Sequence, residues 1–303
     1  MKITDYISTQ EFMALQQRSN VKALWMLTLN WAMIIATFVV MHRYPNPATI
    51  VLGAFLLAGR IHGLGVIMHE CGHNIFFKQT WLNKFAGQWL AAGPAFDDLE
   101  SYATQHRKHH QMAGTHEDPD LGNYQAYPIS KTSFRRKIIR DLTGQTGLKL
   151  MAFKLMGLKG LFSTDADQRK AAVPFAKLWL SQLIIIGVLH VTLAAWLYLV
   201  WLGGMMTFHM LAVRLRQVAE HASAPDHFSK DPRDNTRTTQ TNWLTRLWIG
   251  PNHVNYHLEH HIAAGVPAYN LKAFHELMVE RGAYQETRIF KGYGEVIRHA
   301  VPA

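Results

Sequence analysis

Three apolar runs limit what this chain can fold into: Leu24 to Met41, Ile50 to Met68, and Leu178 to Val213. A hydrocarbon core roughly 30 Å thick is crossed by about 20 apolar residues of helix. The first two runs each fit one span. The third fits two, joined by a tight turn near Trp196 to Gly204. The expected fold is therefore all-α and integral to the membrane, with four transmembrane helices at about 24–41, 50–68, 178–195 and 197–213. The polar segments 69–177 and 214–303 should form a helical cap on the cytosolic side. No low-complexity linker divides the chain, so residues 1–303 read as a single domain.

The formal charge of +10 would suit nucleic acid if the basic residues formed a stripe on a soluble domain. Their placement argues for a topology signal instead, with no nucleic acid involved. Ten Lys or Arg lie between Lys131 and Lys170, just before the third apolar run, where cationic flanks mark the cytoplasmic side. Lys2, Arg18 and Lys22 precede the first span, and only Arg43 lies between the first two. Both termini and the long polar segments should thus face the cytosol. The first twenty residues carry Asp5, Glu11 and Arg18 with no apolar h-region, so no cleavable signal peptide is expected.

Between the spans the sequence is punctuated clearly. Tyr44-Pro45-Asn46-Pro47 suits a helix boundary. Trp81 to Tyr102 mixes Trp89, Leu90 and Phe96 with Asp97, Asp98 and Glu100, and reads as an interfacial segment. Gly114 to Tyr127 is turn-rich, Ser130 to Asp141 a basic helix, and Lys272 to Arg281 a short amphipathic helix. Met1 to Val21 reads as a plain terminal extension. Arg60 and His62 fall inside the second span, where charge is costly; they either meet a lipid headgroup or pair within the bundle. Trp89, Trp243 and Trp248 suit the aromatic belt.

The chemistry is carried by histidine. His69-Glu-Cys-Gly-His73 places two imidazoles at i and i+4, neighbours on one helix face. His106-Arg-Lys-His109-His110 and His257-Leu-Glu-His260-His261 each place three at i, i+3 and i+4. A lone histidine is usually a satisfied core residue, but eight of eighteen in three such sets point to a metal. The chain also echoes itself. A membrane hairpin ends at His69 to His73 and an HxxHH box follows at His106; a second hairpin ends near Gln217 to His221 and another box follows at His257. The echo adds His221 as a ninth histidine, matching His73, and Gln217 as a weaker ligand candidate, matching His69. Cys71 is the only cysteine, which excludes an intramolecular disulfide, a Cys-ligated cluster and a structural Cys zinc site. Imidazole alone leaves iron, zinc, copper and nickel open.

These boxes resemble those of the membrane fatty acid desaturase family, whose HxxxH, HxxHH and HxxHH pattern is matched by His69/His73, His106/His109/His110 and His257/His260/His261. His221 matches a further family histidine after the last span. The loop Thr115-His-Glu-Asp-Pro-Asp120 is similar as well, and Asn255 to His261 resembles desaturases acting on acyl-lipid and sphingolipid chains. The resemblance, running from about Leu56 to Pro267, implies two iron ions, dioxygen as co-substrate and a lipid acyl chain as substrate. No catalytic residue separate from the metal ligands is expected, since an unactivated methylene offers no acidic proton and no leaving group. Asp118 and Asp120 are candidates to orient box-two histidines, and Glu70 and Glu259 to fix an imidazole tautomer. The chain has no His-Pro-Gly-Gly haem signature, no cysteine cluster and no GxGxxG in a βαβ unit. Electrons should therefore come from a separate ferredoxin or small cytochrome, docking near Arg135, Arg136 and Lys137.

Other readings remain open at this level. Lipid or carotenoid hydroxylases and ketolases share the layout. His69-Glu70-Cys71-Gly72-His73 is also a literal HExxH, the zinc-protease signature, although a protease would leave the other boxes idle. A metal transporter combines spans with histidines too, but its site belongs near the bilayer midplane, whereas these boxes fall at span ends.

Overall fold

The computed structural model describes residues 1–302, and every regular element among them is helical. The helices that build the molecule around its site are, in order, α1 (Thr9–Leu15), α2 (Asn20–Arg43), α3 (Pro47–Gly72), α4 (Leu99–Met112), α5 (Lys131–Leu142), α6 (Ala166–Thr192), α7 (Leu197–Ala222), α8 (Trp243–Trp248), α9 (His257–Ile262) and α10 (Ala268–Glu280). Four of them, α2, α3, α6 and α7, are long and apolar enough to cross a membrane.

The first hairpin closes where the prolines require it. The Asn46 side chain accepts from the Thr49 amide while the Thr49 side chain accepts from the Asn46 amide, and Pro47 opens α3, a reciprocal cap that satisfies helix-end donors. The second hairpin differs from expectation at both ends. Helix α6 begins at Ala166, well before Leu178, and the turn falls at 193–196 rather than across Trp196 to Gly204. Helix α7 runs past Val213 to Ala222. Arg214 and Arg216 look like the end of a span, but both charges are compensated within the protein. Arg214 forks onto the fully buried Asp141 of α5, with Nη2 donating at 2.8 Å, and Arg216 lies 3.1 Å from Glu220. The helix thus keeps going because its polar residues have partners, Arg214 in α5 and Arg216 one turn on in α7 itself. Two π-helical stretches, Met205–His209 and Val218–Ala222, interrupt α7, each rotating the side chains that follow, a device often found at functional sites.

Trp81 to Tyr102 does not span. A helix at Thr80–Phe85 runs into a π-helical turn at Ala86–Ala92 that buries Ala86, Gly87, Ala91 and Ala92, while Trp81 and Phe85 stay exposed. The N-terminal arm is more than an extension. Ser8 and Glu11 form a capping box that starts α1, Ile7 is buried, and Phe12 packs on Phe274 of α10 at 6.4 Å. The apolar spacing of Phe12 and Leu15 has a partner that lies in distant sequence.

Arg60 pairs inside the bundle. Its guanidinium donates to the carbonyls of Arg246 (3.2 Å) and Leu247 (2.8 Å) and to Asn30 Oδ1 (3.3 Å). A cation thus sits on the last carbonyls of the short helix α8, where backbone dipoles favour it. Next to it Gly59 allows the close approach: a Cβ there would lie 2.0 Å from the Leu247 carbonyl oxygen. Asn252, in left-handed conformation at φ 54°, donates from Nδ2 to the Gly63 carbonyl at 2.9 Å. Helix α3 therefore grips the segment that leads into α9, and this contact positions the third histidine box. Trp248 belongs to the same contact, packing on Phe55 at 5.0 Å and donating to the Phe208 carbonyl; Trp243 is exposed, and Trp89 lines an apolar groove between α2 and α6.

The Gly59→Ala variant should lose about 1–3 kcal/mol of stability, the usual range for overpacking a tight site, while Gly187→Ala on the open face of α6 should lose none. Thermal unfolding of the two variants in detergent checks this.

Candidate metal centre

The first box grows out of a span: His69 lies in the last turn of α3 and His73 is its C-cap. The second is carried by α4, which starts at Asp98, whose carboxylate accepts from the Ser101 amide at 3.0 Å. The third forms α9, and His221 lies in the π-helical turn that ends α7. These four elements bring all nine candidate histidines together in two groups, His69, His73, His106, His110 and His260, and His109, His221, His257 and His261. Within each group one ring nitrogen from every histidine lies within 4.8 Å of the others.

The echo between the two halves of the chain takes a crossed form. The first group draws four histidines from the first half and His260 from the second. The second draws three from the second half and His109 from the first. Each HxxHH box serves both groups because its adjacent histidines project about 100° apart around the helix.

The nitrogens converge so that not all of them can satisfy one another. His110 Nε2 lies 3.0 Å from His106 Nε2 and 2.9 Å from His260 Nε2, and His257 Nε2 lies 2.9 Å from His221 Nε2. One imidazole nitrogen carries either a proton or a lone pair, so these clusters cannot be paired throughout by hydrogen bonds; His73 Nε2 has no partner at all. Nitrogens about 2.1 Å from one cation and at right angles around it would sit about 3 Å apart. The donor set fits two metal ions. Burial together with neighbouring imidazoles holds His106, His257, His260 and His261 well below the usual histidine range. Burial, with Arg107 adding to it, brings His73 to about 4. At neutral pH these rings are uncharged, the form that binds metal.

The opposite ring nitrogens of His69, His109 and His221 are anchored. His69 Nδ1 donates to Glu70 at 3.0 Å, and the other Glu70 oxygen accepts from the Ala268 amide at 2.6 Å. His109 Nδ1 donates to Asp118 at 2.8 Å, and Asp118 also accepts from the Tyr124 hydroxyl at 2.6 Å and the Asp120 amide at 2.8 Å. Burial alone would raise the Asp118 carboxyl, but the bonds from His109 and Tyr124 outweigh it and hold it below the ordinary range. His221 Nδ1 donates to the Asn235 carbonyl at 3.1 Å. Fixing the proton on Nδ1 directs each Nε2 lone pair into its group.

Asp120 stands farther off, 3.8 Å from His109 Nδ1. Glu259 faces away from the groups: it accepts from His275 Nδ1 at 2.5 Å and from the Thr238 hydroxyl, so it anchors α9 rather than a box imidazole. Gln217 lines a cavity of about 480 Å³ that also touches His106, His109, His221 and His257. Glu220 was not singled out from sequence, yet it is buried in that cavity wall, 3.5 Å from His257 Nδ1 and paired with Arg216. Its i, i+4 spacing from Arg216, next to His221, was the available signal.

The family profile described as fatty acid desaturase matches residues 45–293, a stretch holding every one of these histidines. The chain belongs to the fatty acid desaturase family. Among its relatives, dihydrorhizobitoxine desaturase of Bradyrhizobium elkanii is 28% identical over 250 residues, covering 77% of this chain and 68% of the relative. The sn-1 oleoyl-lipid 12-desaturase of Synechocystis sp. is 25% identical over 248 residues, 75% of this chain and 68% of the relative. A shorter match, 28% over 90 residues, covers 30% of this chain and 24% of the sn-1 acyl-lipid omega-3 desaturase (ferredoxin) of Nostoc sp.. Family membership makes the chain an oxidoreductase by kinship, and its histidine groups are compatible with a metal site.

Asp118→Asn should weaken metal retention about 10–100-fold, the usual cost of losing an orienting partner. Glu259→Gln should instead lower thermal stability with retention unchanged. Iron measured by atomic absorption after dialysis against a chelator distinguishes the two.

Proposed function

We propose that this chain is a membrane-bound, oxygen-dependent desaturase of lipid acyl chains that acts as one domain over residues 1–303. Two irons would be held by His69, His73, His106, His110 and His260 on one side and by His109, His221, His257 and His261 on the other, with Gln217 as a tenth candidate donor. The observation that carries the reading is the convergence of nine imidazoles into two adjoining groups beside one cavity.

When bound, the iron pair supplies the oxidising power, drawn from dioxygen, that breaking an unactivated C–H bond needs. In the net reaction two neighbouring CH₂ groups each lose one hydrogen, dioxygen takes up two electrons and two protons besides, and a carbon–carbon double bond and two waters result. The chain's own residues bind and orient. Asp118, Glu70 and the Asn235 carbonyl hold the imidazoles in one tautomer, and burial on α3, α4, α7 and α9 keeps bulk water from the histidines. Glu70 argues against the HExxH protease alternative, because both of its oxygens are already engaged, by His69 and the Ala268 amide.

The electrons would come from a separate ferredoxin or small cytochrome on the cytosolic side. The exposed Arg135 and Arg136 of α5, with Lys137 folded over the Tyr127 ring, offer the basic surface for it. The cationic stretch from Lys131 to Lys170 supports the same side for both termini and the histidines. The relatives whose names include oleoyl-lipid and ferredoxin support the substrate and donor assignments.

Lipid mass spectrometry of cells expressing the chain, against His109→Ala, tests the reaction. The expected product has lost two hydrogens and disappears in the variant. A product that has gained one oxygen would make the chain a hydroxylase, and an unchanged lipid profile would remove the reading.

A further inference from the structure

An apolar groove of about 720 Å³ lies between α2 and α6, lined by Trp31, Phe38, Trp89, Ile184, Val188 and Leu189 among others, and it touches none of the nine histidines. The side-chain donors of Trp31, Ser181 and Thr192 in its lining are spent on the backbone carbonyls of Leu90, Lys177 and Val188. The surface that remains is almost wholly apolar, and it lies on two helices long and apolar enough to cross a membrane.

The groove has a floor. The segment that follows the π-helical turn crosses beneath it from α2 to α6. Trp31 Nε1 donates to the Leu90 carbonyl at 2.9 Å, and Gln182 Nε2 donates to the carbonyls of Gly93 (2.7 Å) and Pro94 (3.2 Å). Gly93 permits the contact with α6, since a Cβ there would stand 2.0 Å from Ser181 Oγ. From that floor the lining runs along α2 from Trp31 to Val39 and along α6 from Ser181 to Leu193, toward the hairpin turns at 44–46 and 193–196. Those turns lie at the end of the bundle opposite the histidines, because α3 and α7 each start at a turn and carry their histidines at the far end. At 1.5 Å per residue the α6 side is about 18 Å long, a little over half of a hydrocarbon core roughly 30 Å thick.

That length selects the occupant. A spanning helix from a second copy runs the whole depth of the core, and the floor, with Phe85 and Leu90 exposed on it, blocks the groove part-way. An acyl tail belongs to one leaflet and ends near the middle of the bilayer, as the groove does. We propose that the groove binds one acyl tail of a bilayer lipid from the leaflet opposite the histidines, at a site separate from the histidine cavity. Pro94 lines the groove while Ala95 and Asp97 line the histidine cavity, so the bound tail backs the wall that leads into Asp98, the cap of α4. The lipid therefore stabilises the bundle just ahead of the second box. The site stands on the spans and the floor alone, and its failure would leave the desaturase reading untouched.

The test uses the full chain reconstituted in vesicles of dioleoylphosphatidylcholine, or of dioleoylphosphatidylglycerol, and then taken into detergent for native mass spectrometry. One phospholipid per chain should stay bound, to the same extent with either headgroup, because only the tail meets the groove. Val39→Trp on α2 and Val188→Trp on α6, both at exposed positions, fill the groove from opposite sides. Each should lower retention about tenfold, the effect of taking roughly two methylenes out of apolar contact. Leu183→Trp, on α6 but outside the groove, should leave retention unchanged. Stripping the lipid should lower the unfolding temperature, and dioleoylphosphatidylcholine should restore it in the wild type but not in Val188→Trp. No retained lipid in the wild type, retention that survives both groove variants or depends on the headgroup, or equal rescue of Val188→Trp would overturn the proposal. So would a lipid-free wild-type dimer that either groove variant turns into monomer.

Discussion

Nine imidazoles converge in two groups, several with Nε2 atoms about 3 Å apart; they cannot hydrogen-bond one another into a satisfied network, and the rest of the molecule is arranged to hold them there. Each group would spread or flip if its rings were free to turn. Three of them are not free, because the Nδ1 atoms of His69, His109 and His221 are tied to Glu70, Asp118 and the Asn235 carbonyl. Those anchors are themselves tied, Glu70 to the amide that opens α10 and Asp118 to Tyr124. A cation in each group would turn the converging lone pairs from a penalty into a set of ligands.

The spans supply the rigidity. Helix α3 carries the first box at its C-terminal end, holds α8 through Gly59 and Arg60, and clasps Asn252 just ahead of the third box. Helix α7 delivers His221 through a π-helical turn whose extra residue sets where that ring points. Because each HxxHH box sends one histidine across to the opposite group, neither group forms without both halves of the chain. The metal site and the packing of the two hairpins are therefore one structural problem.

Much of this was legible in the sequence. The boxes declare themselves by i, i+3, i+4 spacing, and the echo of the two hairpins pointed to His221, which has no box of its own. The four spans follow from apolar length. What was not legible depends on partners remote in sequence. Helix α7 outlasts its apolar run because Arg214 meets Asp141, and α1 is ordered because Phe12 meets Phe274. Glu70 and Glu259 are both glutamates inside histidine boxes, yet only Glu70 reaches a box imidazole; His275, from α10, claims Glu259. Local spacing places a side chain on a face, but the tertiary neighbour decides its work.

The central claim is that the two histidine groups hold two irons. Anaerobic titration of the metal-free full chain with ferrous iron, followed by Mössbauer spectroscopy, tests it most directly. Binding should saturate at two equivalents per chain with nitrogen-ligated signals, and His260→Ala and His261→Ala should each impair a different one of the two sites. Saturation at a single equivalent, or the same single site lost in both variants, would contradict the account.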